Sequence, residues 1–171
     1  MDKKQRILWG GATASSQYEG GFSSAKGLDT QDCRAYLPRT SNATEETRLL
    51  TKEKIEEAKS LNSNKYYPFR NGTKGFDHLE EDIEYLDELG LDVYRFSISW
   101  ARLFPNGVEE VPSPEGVAYY DRVFNLLAEK GIKIFLTLNH YAMPIYLVEQ
   151  YGGWKGRECI EHFMRFATFV F

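Results

Sequence analysis

Three side chains in this sequence have the types and positions to do chemistry together: Gln17, Arg95 and His140. Each lies in or just beyond a short apolar run that reads as a β-strand. Gln17 follows "RILWGGAT", with Glu19 two residues further on. A glutamine amide offers both a donor and an acceptor, as do a neutral imidazole and a sugar hydroxyl. Trp9, Tyr18, Tyr141 and Trp154 add rings that could stack on the apolar faces of a pyranose. Arg95 sits inside "LDVYRFSISW", where even positions carry Tyr94, Phe96, Ile98 and Trp100 and odd positions carry Arg95, Ser97 and Ser99. Side chains alternate across a strand, so the aromatic face is expected to meet helices while Arg95 points to the other side. An unpaired buried guanidinium is costly, so Arg95 then needs a carboxylate or a bound anion. An exposed arginine on an edge strand is the alternative. His140 ends "IKIFLTLNH" and shares parity with Ile134, Leu136 and Leu138 if no bulge intervenes. Alone, it reads equally well as a hydrogen-bonded core residue.

The elements that must position these residues follow a regular order. In "DHLEEDIEYLDELG", Leu79, Ile83, Leu86 and Leu89 recur at helical spacing. Asp77 with Glu80 resembles a capping box, and Gly90 suits the stop. "SPEGVAYYDRVFNLLAEKG" offers Ser113 as N-cap, Pro114 at the first helical position and Gly131 as terminator. "GRECIEHFMRFATFVF" opens a further helix with Ile160, Phe163, Ala167 and Val170 along one side. Between the first strand and the first regular helix, residues 14–75 form a long insertion. It includes a charged segment, "TEETRLLTKEKIEEAKSL", with Leu50, Ile55, Ala58 and Leu61 on a loose apolar stripe. So long a connection is expected to hold local structure and to cover something. Strand-helix alternation favours a parallel sheet with right-handed crossovers, either doubly wound or one part of an eight-unit barrel. No Gly-x-Gly-x-x-Gly or phosphate loop follows the first strand, which disfavours a nucleotide fold.

Composition narrows the classes. The 171 residues are 42% hydrophobic and 15% aromatic, enough for a packed core, and the net charge of -4 argues against nucleic acid. No apolar run approaches the roughly 20 residues that span a bilayer, and the start does not resemble a signal peptide. A soluble, cytoplasmic protein with no membrane partner is expected. The sequons at Asn42 and Asn71 are discounted with it. Cys33 and Cys159 form no metal-ligand spacing and are read as unrelated free thiols. Neither a metal nor a cofactor is expected.

The stretches "WGGATASSQYEGG", "DHLEEDIEYLDELGLDVYRFSISWARLFPNG" and "LTLNHYAMPIYLVEQYGGW" together resemble the amino-terminal part of family 1 glycoside hydrolases, retaining β-glycosidases on a (β/α)8 barrel. The resemblance covers nearly the whole chain apart from residues 42–67. It implies an α/β fold holding about three βα units of a TIM barrel. It makes Gln17 and His140 hydrogen-bonding partners of the sugar, places Tyr141 beside the site, and sets Arg95 next to the nucleophilic glutamate. It casts Trp154 as a structural aromatic near the mouth and His78 as a structural residue at a helix start. Within the family, "LWGGATASSQYEGG" and "HYAMPIYLVEQYGGWKGR" look most like bacterial 6-phospho-β-glucosidases. Ala142 departs from the acidic residue usual there, which puts aglycone contacts in doubt.

Retaining hydrolysis needs two carboxyl groups about 5–5.5 Å apart, one as nucleophile and one as acid/base. In the family they follow the fourth and seventh barrel strands, and neither motif occurs in these residues. Glu19 and Glu149 match no catalytic position and are read as local structure. The expectation is a catalytically incomplete portion of a 6-phospho-β-glucosidase, inactive alone and prone to self-association through bare strand edges. An unphosphorylated β-glucoside or β-galactoside as substrate, or a non-catalytic sugar-binding or assembly module, are the alternatives.

Overall fold

A computed structural model of the chain describes residues 7–22, 26–37, 49–60 and 62–171. Three strands form one parallel sheet in the order β1 (Gly10–Ala12), β2 (Val93–Ser97), β3 (Lys133–Thr137). Ala12 stands against Arg95, and Arg95 against Phe135. Around the sheet run α1 (Ser15–Tyr18), α2 (Lys52–Lys59), α3 (Pro68–Asn71), α4 (Leu79–Glu88), α5 (Trp100–Leu103), α6 (Pro114–Glu129), α7 (Ile145–Tyr151) and α8 (Glu158–Val170). A strand, a helix and the next parallel strand repeat, as in part of a (β/α)8 barrel.

The even face of β2 is the packed one. Tyr94 and Phe96 are buried with Leu79 and Ile83 of α4 and Val123 and Leu127 of α6. Each such side chain contributes about 1.5–3 kcal/mol by leaving water, so alternation along one strand fixes which face meets the helices. Ser113 caps α6 by accepting the Gly116 N–H at 3.3 Å, Pro114 begins the helix, and Gly131 leaves it at φ 69°. These are the signals read from the sequence.

Other boundaries differ from the expectation. The strand around Arg95 stops at Ser97, and Trp100 begins α5. Beyond Ser97 the backbone is taken up by new partners: the Ile98 N–H donates to the Thr137 carbonyl, and the Ser99 N–H to the Tyr120 hydroxyl at 2.6 Å. The N-cap of α4 is His78 rather than Asp77, and its side chain caps nothing. On α8, Cys159 and Phe166 are the fully buried residues, whereas Ile160 is exposed. Phe166 stacks on Trp100 at 5.4 Å and meets Phe104 edge-on, so the rings of α5 decide the seat of α8. Helix α7 lies between Pro144 and the left-handed Gly152.

Within residues 14–75, Ile55 and Ala58 of α2 pack with Cys33, Tyr67 and Ile145 in a second apolar cluster, joined by Leu50. Leu61 and Asn42 lie outside the described residues. Both cysteines are free and buried, and burial, with Asp32 and Asp29 adding to it, pushes the Cys33 thiol up to about 12. No helix among the described residues is long and apolar enough to cross a membrane.

Candidate active site

The three residues singled out by chemistry belong to three consecutive strand units. Gln17 is exposed on α1, immediately past β1. Arg95 lies in β2, and His140 lies three residues past the end of β3. Hydrogen bonds tie the carboxyl ends of the strands together. The Thr13 N–H donates to the Arg95 carbonyl at 3.0 Å, and the Ser15 N–H to the Ser97 hydroxyl at 2.8 Å. In parallel α/β sheets this is the end where ligands bind.

Behind Gln17, a buried ion pair holds the start of the long connection. Glu19 accepts from Arg102 Nε at 2.9 Å and from the Tyr120 hydroxyl at 2.6 Å, while Arg102 also donates to the Gly20 carbonyl at 2.8 Å. The guanidinium lies over the rings of Phe76 and Tyr119. Burial alone would lower its pKa, but Glu19, together with the Tyr120 and Tyr119 phenols, raises it. Burial and the Glu19 charge push Tyr120 well up. Gly20 takes φ 63°, and a Cβ there would sit 2.0 Å from the Asn71 carbonyl oxygen, so only glycine fits the turn. Glu19 is thus committed to structure, as read from the sequence, and so is Glu149, which pairs with Lys59.

Arg95 is half-buried on the odd face, and its Nε donates to the Thr137 hydroxyl at 2.6 Å. No ion pair engages it among the described residues. His140 is half-buried, with its ring edge-on to Tyr141 at 4.8 Å. The parity argument does not reach it, because β3 ends at Thr137 and the chain turns through Tyr141 at φ 69°. Nδ1 of His140 and Oδ1 of Asn139 are buried without a hydrogen-bond partner among the described residues. Two adjacent polar atoms left unpaired past a strand end suit a polar ligand. Asn139 was overlooked in the sequence, although an amide beside His140 was the available signal.

The aromatic candidates separate. Tyr141 is 80% exposed and free to stack. Trp9 precedes β1, where its backbone bonds Asp92 and Val93, so it sits at the opposite end of the strand from the rim. Tyr18 donates to Asp82 at 2.8 Å and is a packing residue, its pKa pushed up by burial and by Asp82. Trp154 packs against Trp100 and Phe163 and stays 57% exposed. The loops after β1 and β3 carry an amide, an imidazole and the exposed Tyr141 ring, and the middle of β2 carries a guanidinium. That set can hydrogen-bond hydroxyls and hold an anion. No described carboxylate at it is free for acid/base work.

This arrangement lies on part of a parallel (β/α)8 barrel. The profile of glycosyl hydrolase family 1 matches residues 3–171, and the chain belongs to that family. It is 38% identical over 168 residues to the 6-phospho-beta-glucosidase AscB of Escherichia coli (strain K12), covering 98% of this chain and 34% of that protein. It is 39% identical over 166 residues to the aryl-phospho-beta-D-glucosidase BglH of Bacillus subtilis (strain 168), covering 96% and 32%. Among solved structures, a rice beta-glucosidase superposes with a TM-score of 0.76 at 28% identity, over 98% of this chain and 30% of that one. The chain thus spans about a third of the length of these relatives.

Proposed function

We propose that this chain forms the first βα units of a retaining β-glycosidase acting on 6-phosphorylated β-glucosides. The observation that carries the reading is the similarity to AscB and BglH, two enzymes named for phospho-β-glucosides, over 96–98% of the chain. The rim residues fit it. Gln17 and the His140 imidazole bond the sugar hydroxyls, Tyr141 stacks beside the ring, and Arg95 faces the carboxylate that attacks the anomeric carbon. Arg95 supports the chemistry by holding that carboxylate charged and oriented. Retaining hydrolysis needs an attacking and a proton-donating carboxyl group, which this rim lacks among the described residues, so these 171 residues alone do not cleave a glycoside. They also self-associate through exposed apolar surface at β3, where Phe135 is 65% exposed. Sedimentation at rising concentration of the isolated chain is expected to show oligomers, and a monomer throughout would refute that.

The reading is tested by comparing hydrolysis of an aryl 6-phospho-β-glucoside with that of the unphosphorylated aryl β-glucoside by the protein that carries this sequence. Faster turnover of the phosphorylated compound is expected. Preference for the unphosphorylated one would move the assignment to the β-glucosidase reading, which the rice neighbour favours.

A further inference from the structure

The turn that leads into the His140–Tyr141 corner is not built by β3 alone. Residues 28–30 lie antiparallel to residues 143–145 and bridge Asp29 to Pro144. The Ile145 N–H donates to the Leu28 carbonyl and the Thr30 N–H to the Met143 carbonyl, both at 2.9 Å. The Thr30 hydroxyl completes the clasp. It accepts the Met143 N–H at 3.2 Å and donates to the Tyr141 carbonyl at 3.3 Å. Tyr141 is a non-glycine residue in the left-handed region, a conformation that persists only where its surroundings over-determine it.

The clasp is in turn fixed by buried charge. Asp29 Oδ1 accepts the N–H groups of Gln31 and Asp32 at 2.8 and 3.0 Å, and Asp32 Oδ2 accepts the Asp29 N–H at 3.1 Å. The Lys26 ammonium reaches both carboxylates, 2.9 Å from Asp29 and 2.7 Å from Asp32, with all three side chains almost fully buried. Gly27 lets this segment lie against the Pro105 carbonyl, where a Cβ would come within 2.0 Å of the oxygen.

We propose that Thr30, seated by the Lys26–Asp29–Asp32 knot, is a positioning residue that sets the His140–Tyr141 corner for sugar binding without touching the sugar. The inference rests on the reading that this corner contacts substrate. It adds a residue to the site from a segment some 110 positions earlier in the chain, the separation between Thr30 and Tyr141 being 111.

The test uses Thr30→Val, which keeps the shape and removes the hydroxyl, and Thr30→Ser, which restores it, in the protein that carries this sequence. One arm follows hydrogen exchange at the Ala142 amide, which donates to the His140 carbonyl at 2.9 Å and never touches Thr30 Oγ1. Thr30→Val is expected to speed that exchange about tenfold, the effect of losing a hydrogen bond of ordinary net strength. Thr30→Ser is expected to stay near wild type. The other arm reads kcat/KM on an aryl 6-phospho-β-glucoside, expected to fall about tenfold in Thr30→Val and to recover in Thr30→Ser. A purely structural role would lower the thermal midpoint while leaving Ala142 exchange and kcat/KM at wild-type values, and that result would overturn the proposal. Faster exchange with unchanged kcat/KM would likewise sink its functional half. A wild-type protein without phosphoglucosidase activity fails the functional reading separately, since the exchange arm still reports on the clasp.

Discussion

Two buried charge clusters among the described residues, one behind Gln17 and one behind His140, differ in charge balance. Glu19 and Arg102 are one acid and one base, with Tyr120 and the Gly20 carbonyl taking up further bonds. Lys26, Asp29 and Asp32 are two acids on one base. In the first cluster, attraction offsets the desolvation of both partners. In the second, an acid is left over. Burial, and then the Asp29 charge, push the Asp32 carboxyl up to about 7, against the opposing pull of Lys26. Burial works against the Lys26 charge, but the two aspartates raise its pKa nonetheless. A balanced pair serves as a fixed rivet, whereas an unbalanced trio can gain or lose a proton near neutrality.

The largest effect is expected where balance is broken. Arg102→Met leaves the Glu19 carboxylate buried beside a single phenol, and removing one partner of a buried pair typically costs about 3–5 kcal/mol. Urea unfolding should show that loss, and adding Glu19→Gln should recover part of it. A loss below about 1 kcal/mol would mean that the pair is replaceable by packing alone. The intermediate effect concerns pH. Asp32 binds its proton more tightly folded than unfolded, so stability falls as pH rises from about 4 to about 7 and levels off above. Between pH 5 and pH 8 this costs on the order of 2 kcal/mol, and Asp32→Asn should remove that part of the slope. The groups facing the carboxyl are Lys26, Asp29 and Cys33, with the Arg70 guanidinium on the Asp32 carbonyl. Parallel unfolding curves for wild type and Asp32→Asn at both pH values would remove the distinction between the clusters. The smallest effect is at the surface. Arg122 pairs with Glu80 in the open, so Arg122→Ala should change stability by less than about 1 kcal/mol, read from the same urea curves. A larger change would show that pairing matters more here than burial.

The parallel sheet, α6 with its caps and the packed face of β2 could be read from the sequence, because each rests on a local pattern: alternation in "VYRFS", Ser113-Pro114 at one helix end and Gly131 at the other. What could not be read depends on partners distant in the chain. The end of β2 is set by Tyr120 and Thr137, the seat of α8 by Trp100, and the unpairing of Trp9 from the rim by the register of β1 on β2. The sequence alone assigned Gln17, Arg95 and His140 to three successive strand units, and the structure keeps them there, with Arg95 in the middle of β2. The Lys26–Asp29–Asp32 knot was not, since nothing in "KGLDTQD" reveals that three charges share one dry space.

The order in which the strands are joined has a consequence for how the molecule assembles. Arg95 meets Thr137 across 42 residues, a span that includes all of α6, whereas Ser15 meets Ser97 across 82. Closing a longer loop costs more entropy before any contact repays it, and distant pairings slow folding. The unit of β2, α6 and β3 is therefore expected to form before β1 joins it, which pulse-labelled hydrogen exchange during refolding would check. Gln17 is then expected to reach its place beside β2 only after Arg95 and Thr137 have met.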